Sequence, residues 1–416
     1  MTDKLRNNKT TVIIIMGLLT AIGPLSIDMY LPAFPAIAKS LHSSVSAVTL
    51  SLSSFFIGIS GGQLLYGPLL ERYGRKNPLY FGLSLYFLAS VGCALAPSVN
   101  SLIVFRFFQA LGGCAGMVAA RAMVRDLFDV EDNAKVFSTL MLVVAVSPII
   151  APTLGGFITA VLGWRWVFVM LILVILLILA GSILYLPESK PPDPTFSLRP
   201  GAIFKNFGSV LSNRQFLTFA LTGAVSYGGL YAYIGGSPYV FMELFKVSET
   251  EFGLIFSLIA AGIIGGSQLN NIAIKYYSSE QVIRGATLFQ AVIGIIMVSL
   301  TVAGWSNLWG TIVLVFLFLG GQGFIFPNST AVALAPMGGN AGNASALIGA
   351  IQMTIGAGAA ALISIVQNHT ALPMVAVMAG CALTAVVIYD IGRKAIAQQT
   401  TRQAVQEEEV DMMSQL

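Results

Sequence analysis

Two ionisable side chains stand among residues that are almost all apolar. Asp28 lies in Pro24-Leu25-Ser26-Ile27-Asp28-Met29-Tyr30-Leu31-Pro32, and Arg106 in Val104-Phe105-Arg106-Phe107-Phe108-Gln109. A charge near the centre of a bilayer costs at least about 2.5–3.5 kcal/mol, so such residues face a polar cavity or one another. A carboxylate there can take up and release a proton. A guanidinium cannot, and its use is to steady an anion or to hold a polar ligand. The chemistry open to the pair is proton transfer at Asp28 tuned by Arg106, or a purely structural ion pair between two helices. Glu243 is a further acid, but it falls near the end of an apolar run, where water reaches it.

Other residues could shape a binding site. Tyr227 and Tyr231 are four apart and share a helical face, and Arg106, Gln109, Gly113 and Met117 form one stripe. Gln268, Asn328 and Gln352 add isolated polar groups to apolar runs. Each alone fits packing or lipid contact equally well. Together they suit a mostly apolar cavity with few polar fixtures, of the kind that takes small, semi-polar molecules. Pro152-Thr153-Leu154-Gly155-Gly156 has a mechanical reading: proline bends a helix, and glycine lets a neighbour approach. There is no G-x-x-x-x-G-K-[ST] phosphate loop, no T-V-G-Y-G filter, and no H-E-x-x-H or G-x-S-x-G site. Cys93, Cys114 and Cys381 are scattered, and His42 and His369 fall at the ends of apolar runs. No enzyme, metal site or cofactor is expected.

The elements that position these residues follow from composition. Hydrophobic residues make up 56% of the 416 and charged residues 10%. That is too few charges to cover a water-facing surface or to keep a chain disordered. Unbroken apolar runs of about 20 residues read as membrane-spanning helices, not as the short alternating strands of a barrel. Twelve spans are expected, near 11–36, 46–68, 78–96, 100–122, 136–160, 165–186, 216–240, 252–273, 282–303, 308–331, 342–367 and 371–391. The basic start and first apolar run resemble a signal peptide, but Pro24, Asp28 and Pro32 interrupt the run, and a retained first span is expected.

The proline-rich interval 187–214 reads as a linker. The expected organisation is a six-helix half over 1–186, the linker, a second half over 215–391, and a solvated tail over 392–416. With the N-terminus cytoplasmic, eighteen of the 22 Lys and Arg fall in inside segments and three outside, Arg106 remaining in the membrane. That asymmetry places both termini in the cytoplasm. The net charge of +4 therefore reflects topology and not nucleic-acid binding. Helical rise puts both Asp28 and Arg106 about 9–12 Å below the outer edge, so they are expected to share one cavity.

Several stretches carry a resemblance. Gly67-Pro68-Leu69-Leu70-Glu71-Arg72-Tyr73-Gly74-Arg75-Lys76 resembles the loop signature of the major facilitator superfamily, with Glu71 where Asp is usual. Arg106 matches the family's span-4 arginine. Ala151-Pro152-Thr153-Leu154-Gly155-Gly156 resembles its antiporter motif, with Ala151 replacing the first Gly. Pro24 to Ala33, Arg121 to Asp126 and Ser237 to Phe241 are similar to the bicyclomycin-resistance (Bcr/CflA) branch of drug/proton antiporters. Some relatives carry a second acid two turns before Asp28, where this chain has Thr20.

The resemblance implies an all-α integral membrane protein of twelve transmembrane helices in two six-helix halves. It further implies proton-coupled efflux of small-molecule drugs across the bacterial inner membrane by alternating access. Asp28 and Arg106 would couple protons, and Tyr30, Gln109, Tyr227 and Tyr231 would line the drug site. Glu71, Arg72, Gly74, Arg75 and Lys76 would form a conformational latch, with Pro152, Gly155 and Gly156 the antiporter motif. Partners are then drugs, protons and the lipid bilayer, with a monomer expected. The alternatives are a proton symporter importing a metabolite and a membrane receptor or scaffold that moves nothing.

Overall fold

The computed structural model describes residues 3–195, 198 and 200–414, and among these there is no strand. Twelve long helices carry the fold. The first six are α1 Asp3–Asp28, α2 Val45–Tyr73, α3 Lys76–Ala94, α4 Val99–Leu127, α5 Val130–Leu162 and α6 Arg165–Tyr185. The second six are α7 Arg214–Ser237, α8 Glu249–Ala273, α9 Ser279–Val302, α10 Leu308–Leu334, α11 Ala341–Val366 and α12 Leu372–Ser414. A helix over Pro200–Leu211 occupies the linker. The interval 392–416 was expected as a tail; as far as Ser414 it continues α12.

Local chemistry sets the helix ends. Ser44, Ser98, Asn213, Ser248, Ser278 and Asn307 each accept a backbone N–H of the first turn that has no partner within the helix. Gly74, at φ +79°, ends α2 in a conformation that side chains disfavour. The first span is not continuous. Pro32 and Pro35 lack the N–H groups that would carry α1 onward, so the chain turns at Met29–Tyr30. It resumes as a 3-10 turn over Leu31–Ala33 and a short helix over Phe34–Ser40. Asp28 is thereby the last residue of α1.

The two sets of six repeat one packing scheme. In the first, α2 packs on α4, α3 on α4 and α6, and α1 on α4, α5 and α6. In the second, α8 packs on α10, α9 on α10 and α12, and α7 on α10, α11 and α12. Adding six to each number of the first scheme yields the second. The halves meet along α2 with α11 and α5 with α8, a pair of contacts that the same operation interchanges.

Among the described residues ten helices are long and apolar enough to cross a membrane, and large apolar side chains such as Phe81, Leu88, Leu177 and Val302 point outward. This is the exterior of a multi-pass membrane protein, whose solvent is lipid. The other two long helices, α3 and α7, are more polar for a physical reason. α7 is buried along most of its length and α3 is covered by α4 and α6 on part of its surface. Their glycine, serine and tyrosine residues meet protein more than lipid.

Candidate functional site

Arg106 is fully buried, and the first half is built around it. Its Nη1 donates to Gln109 Oε1 at 2.7 Å, and its Nη2 to the Ser26 carbonyl at 3.1 Å. Gln109 in turn donates to Ser90 Oγ at 2.8 Å. The guanidinium lies 4.4 Å from the Tyr30 ring centroid and 4.1 Å from that of Phe55. The break after α1 folds Tyr30 back into this position, where its hydroxyl pairs with Ser51 at 2.7 Å. Two aromatic faces and two oxygens stabilise the cation, with no carboxylate paired to it among the described residues and its Nε without a hydrogen-bond partner there.

Asp28 does not pair with Arg106: among the described residues, no hydrogen bond or ion pair joins them. Equal depth was legible from the helical rise, but direction around the helix was not. The Ser26 carbonyl occupies the place expected for the carboxylate. Asp28 is 5% exposed, and its electrostatic neighbour is Tyr233 of α7, in the other half. The Tyr233 hydroxyl is buried with no hydrogen-bond partner, and its ring stacks on Phe256 of α8 at 5.4 Å. Sequence reasoning did not single out Tyr233, which is one of several tyrosines in α7.

The drug-site candidates separate. Tyr30 and Gln109 are consumed in the packing around Arg106. Tyr227 and Tyr231 do share a face, with ring centroids 5.6 Å apart. Tyr231 packs on Phe56 of α2 at 4.6 Å and Tyr227 on Phe326 of α10 at 4.9 Å. The Tyr231 hydroxyl reaches Met353 Sδ of α11 at 3.6 Å. The two tyrosines thus belong to an aromatic cluster between the halves. Asn328 is tied to Asn270 at 2.6 Å. Glu243 is part-exposed, with Lys246 3.8 Å away.

The residues expected as an antiporter motif meet their neighbours through backbone. A Cβ on Gly155 would overlap the carbonyl of Met29, beside Asp28, and one on Gly156 would overlap that of Glu249. Gly253 of α8 sits equally close to the Pro152 carbonyl. Thr153 and Ser257 join α5 to α8 at 3.2 Å. At the end of the bundle away from the termini, Ser364 donates to the Ser46 carbonyl at 2.6 Å and Thr49 to the Gly235 carbonyl at 3.3 Å. That end is closed across both seams.

At the end that holds the termini, a cavity of about 460 Å³ lies between the halves. Gln63, Glu71, Arg75, Arg121, Arg125 and Asn343 are among its lining residues. The latch candidates sit at its edge. Arg75 bonds Glu71 at 3.0 Å and Asp126 at 2.7 Å, and Lys190 also pairs with Glu71. Burial opposes the Arg75 charge, but the hydrogen bonds and charges of Asp126 and Glu71 outweigh it and hold its pKa above the usual value. The backbone N–H groups at the start of α3 are covered by Glu188, which accepts that of Arg75 at 2.7 Å and that of Lys76 at 3.1 Å. Gly74 leaves room for it, and Lys76 lies over the Tyr80 ring. Glu188 and Asp126 were missed because each is more than 50 residues from Arg75 in the chain.

The second half holds a neutral cluster that no motif marked. The Ser226 hydroxyl of α7 lies 2.8 Å from Gln290 Oε1 of α9 and 2.9 Å from Gln322 Oε1 of α10, sharing its one proton between them, and Gln290 Nε2 donates to Gln322 Oε1 at 3.0 Å.

Two six-helix halves around polar clusters, with a cavity between them at one end, define a membrane transport protein and not an enzyme. The profile of the Major Facilitator Superfamily matches residues 16–362, and the chain belongs to that family. It is 34% identical over 366 residues to the uncharacterized MFS-type transporter YdgK of Bacillus subtilis, covering 88% of this chain and 90% of that one. It is 31% identical over 387 residues to the bicyclomycin resistance protein homolog of Haemophilus influenzae, covering 92% and 97%. The fold is similar to that of a POT family transporter solved with a thioalcohol-conjugated peptide, at TM-score 0.73, 13% identity, and coverage of 91% and 94%.

Proposed function

We propose that this protein exports small, drug-like molecules across the bacterial inner membrane in exchange for protons, by alternating access. The name of the Haemophilus influenzae relative supports the cargo class. The Lys and Arg bias supports termini in the cytoplasm, so the closed end faces outward and the cavity faces the cytoplasm.

The observation that carries the reading is Asp28. It is an acid with no counter-ion among the described residues, at the break of α1, electrostatically coupled to Tyr233 of the other half, and it adjoins Met29, which Gly155 of the seam helix α5 approaches closely. A rocking motion that opens the outer end separates Asp28 from Tyr233 and admits water to the carboxylate. Protonation and conformation are then linked by differential contact. Arg106, held by oxygens and rings, organises the turn and need not change its charge. Tyr227 and Tyr231 offer aromatic surface to cargo, with Tyr30 and Gln109 supporting from behind. Glu71, Arg72, Gly74, Arg75 and Lys76 serve as the latch at the cytoplasmic edge.

One proton entering through about 100 mV supplies about 2.3 kcal/mol. At about 1.4 kcal/mol per decade, that sustains roughly a 50-fold gradient of neutral cargo. The test is drug flux in proteoliposomes under an imposed pH gradient. Wild type is expected to accumulate drug, and Asp28→Asn to show none while still binding it. Full gradient-driven flux by Asp28→Asn would overturn the assignment and move attention to Glu243.

A further inference from the structure

The cavity at the cytoplasmic end carries two arginines that pair with no carboxylate among the described residues. Arg121 and Arg125 lie one turn apart on α4 and both line it. Among the described residues, no carboxylate pairs with either. The acid in the wall, Glu71, is already engaged by Arg75 and Lys190, and nearby Asp126 by Arg75. The lining therefore holds three arginines against one glutamate, with the glutamate neutralised.

The opposite wall is the start of α11. A 3-10 turn over Ala335–Asn340 leads straight into it, and the Ala341 N–H donates to the Gly338 carbonyl; the cap residue Asn340 adds no side-chain bond to the first turn, so its side chain covers none of the N–H groups that follow. Gly342 has no side chain to shield them, and a Cβ placed there would lie 3.9 Å from Arg125 Nη1. The cation and the positive end of the helix dipole thus face the same space. A third observation is Gln63, which lines the cavity at 6% exposure while its amide makes no hydrogen bond among the described residues. The remaining wall is apolar, with Leu64, Val118 and Phe207.

From this convergence we propose that the cavity is a binding site for an organic oxyanion. Its carboxylate, phosphate or sulfonate group is held by Arg121, Arg125 and the first turn of α11. Guanidinium groups grip such oxygens in a bidentate manner, and a helix N-terminus adds backbone donors. Gln63 offers one further amide donor, and the apolar wall takes the hydrocarbon body. The site extends the proposed export function by naming a cargo class, and rests on that reading only in taking the anion as cargo. An anionic lipid headgroup would present the same chemistry.

The test uses the full chain in phosphatidylcholine nanodiscs and two dyes on one xanthene frame, anionic fluorescein and cationic rhodamine 6G, followed by fluorescence anisotropy. Wild type is expected to bind fluorescein, and Arg121→Gln with Arg125→Gln to weaken it at least about tenfold. Rhodamine 6G affinity should hold or improve, which also reports that the variant is folded. If the double variant does not fold, Arg125→Gln alone and displacement of fluorescein from wild type by inorganic phosphate give the same readout. Equal fluorescein affinity in wild type and variant, or no displacement by phosphate, would overturn the proposal.

Repeating the measurement with phosphatidylglycerol in the nanodisc separates the sources. Loss of fluorescein binding assigns the oxyanion site to lipid headgroups and overturns its role for cargo, whereas unchanged binding supports cargo. Proton coupling is read from the flux of Asp28→Asn, and the anion site from fluorescein binding to wild type and the arginine variants. Failure of proton coupling and failure of the anion site are therefore read in different experiments.

Discussion

The halves of this transporter bury polar clusters at corresponding places. In the first half, α1, α3 and α4 contribute Ser26, Ser90, Arg106 and Gln109. In the second, the matching helices α7, α9 and α10 contribute Ser226, Gln290 and Gln322. One cluster is charged and the other neutral. Burying an amide network costs little when its bonds are made, whereas burying a guanidinium demands dedicated oxygens and aromatic faces. The first half carries that cost beside the break that ends α1 at Asp28. The second half repeats the packing without the charge. The difference teaches that repeated architecture does not repeat chemistry, and that coupling is sought in the half that departs from the neutral pattern.

The largest expected effect lies on the charged side. Asp28→Asn should abolish pH-gradient-driven flux in proteoliposomes while leaving drug binding by equilibrium dialysis within about twofold. No comparable loss is expected from any one glutamine of the neutral cluster. Should Gln290→Leu also abolish flux without unfolding, the functional contrast between the halves would fail.

Next comes the stability contrast. Arg106→Lys keeps a charge but loses the planar fork and both ring contacts, at an expected cost of order 3 kcal/mol. Gln322→Leu should cost less than about 1 kcal/mol, because Ser226 still reaches Gln290, Gln290 still reaches the Phe318 carbonyl, and Gln322 Nε2 already lacks a partner. Thermal unfolding of the two variants in one detergent measures the difference, and similar losses would show that the charge is not what distinguishes the clusters.

Where the halves meet, Tyr231→Ala should alter drug resistance unevenly between compounds, since it removes aromatic surface and its contact with Phe56 but no charge. A uniform fall across compounds would mark Tyr231 as structural. The smallest effect concerns Glu188→Ala, which leaves the first N–H groups of α3 uncovered. A loss of about 1 kcal/mol is expected in thermal unfolding, with flux retained.

Much of the fold was legible because membrane insertion acts on local composition. Apolar runs, capping residues and the Lys and Arg asymmetry are properties of short windows, and the helices fall where those windows lie. The resemblance through Gly67 to Lys76 and Pro152 to Gly156 pointed to the family to which the chain belongs. The partners of Arg106 were not legible. Ser26 and Asp28 are two residues apart on one helix, so they point in different directions, and only packing decides which meets α4. The break after Asp28 rests on Pro32 and Pro35; in the sequence Pro32 reads as interrupting an apolar run and not as ending a helix, and Pro35 carries no reading.

Composition and spacing by themselves determined a polytopic helical membrane protein, since a chain so poor in charge has no other stable surface. They also marked Asp28 and Arg106 as exceptional, because lipid penalises every uncompensated charge. Only the tertiary structure decided that Arg106 is held by a carbonyl, an amide and two rings with its Nε left over, that Asp28 turns toward Tyr233, and that Arg121 and Arg125 line a cavity with no carboxylate partner among the described residues. Those outcomes depend on the azimuth of each helix and on contacts between residues far apart in the chain. Such directions arise when helices pack against one another, and no short window of sequence contains them.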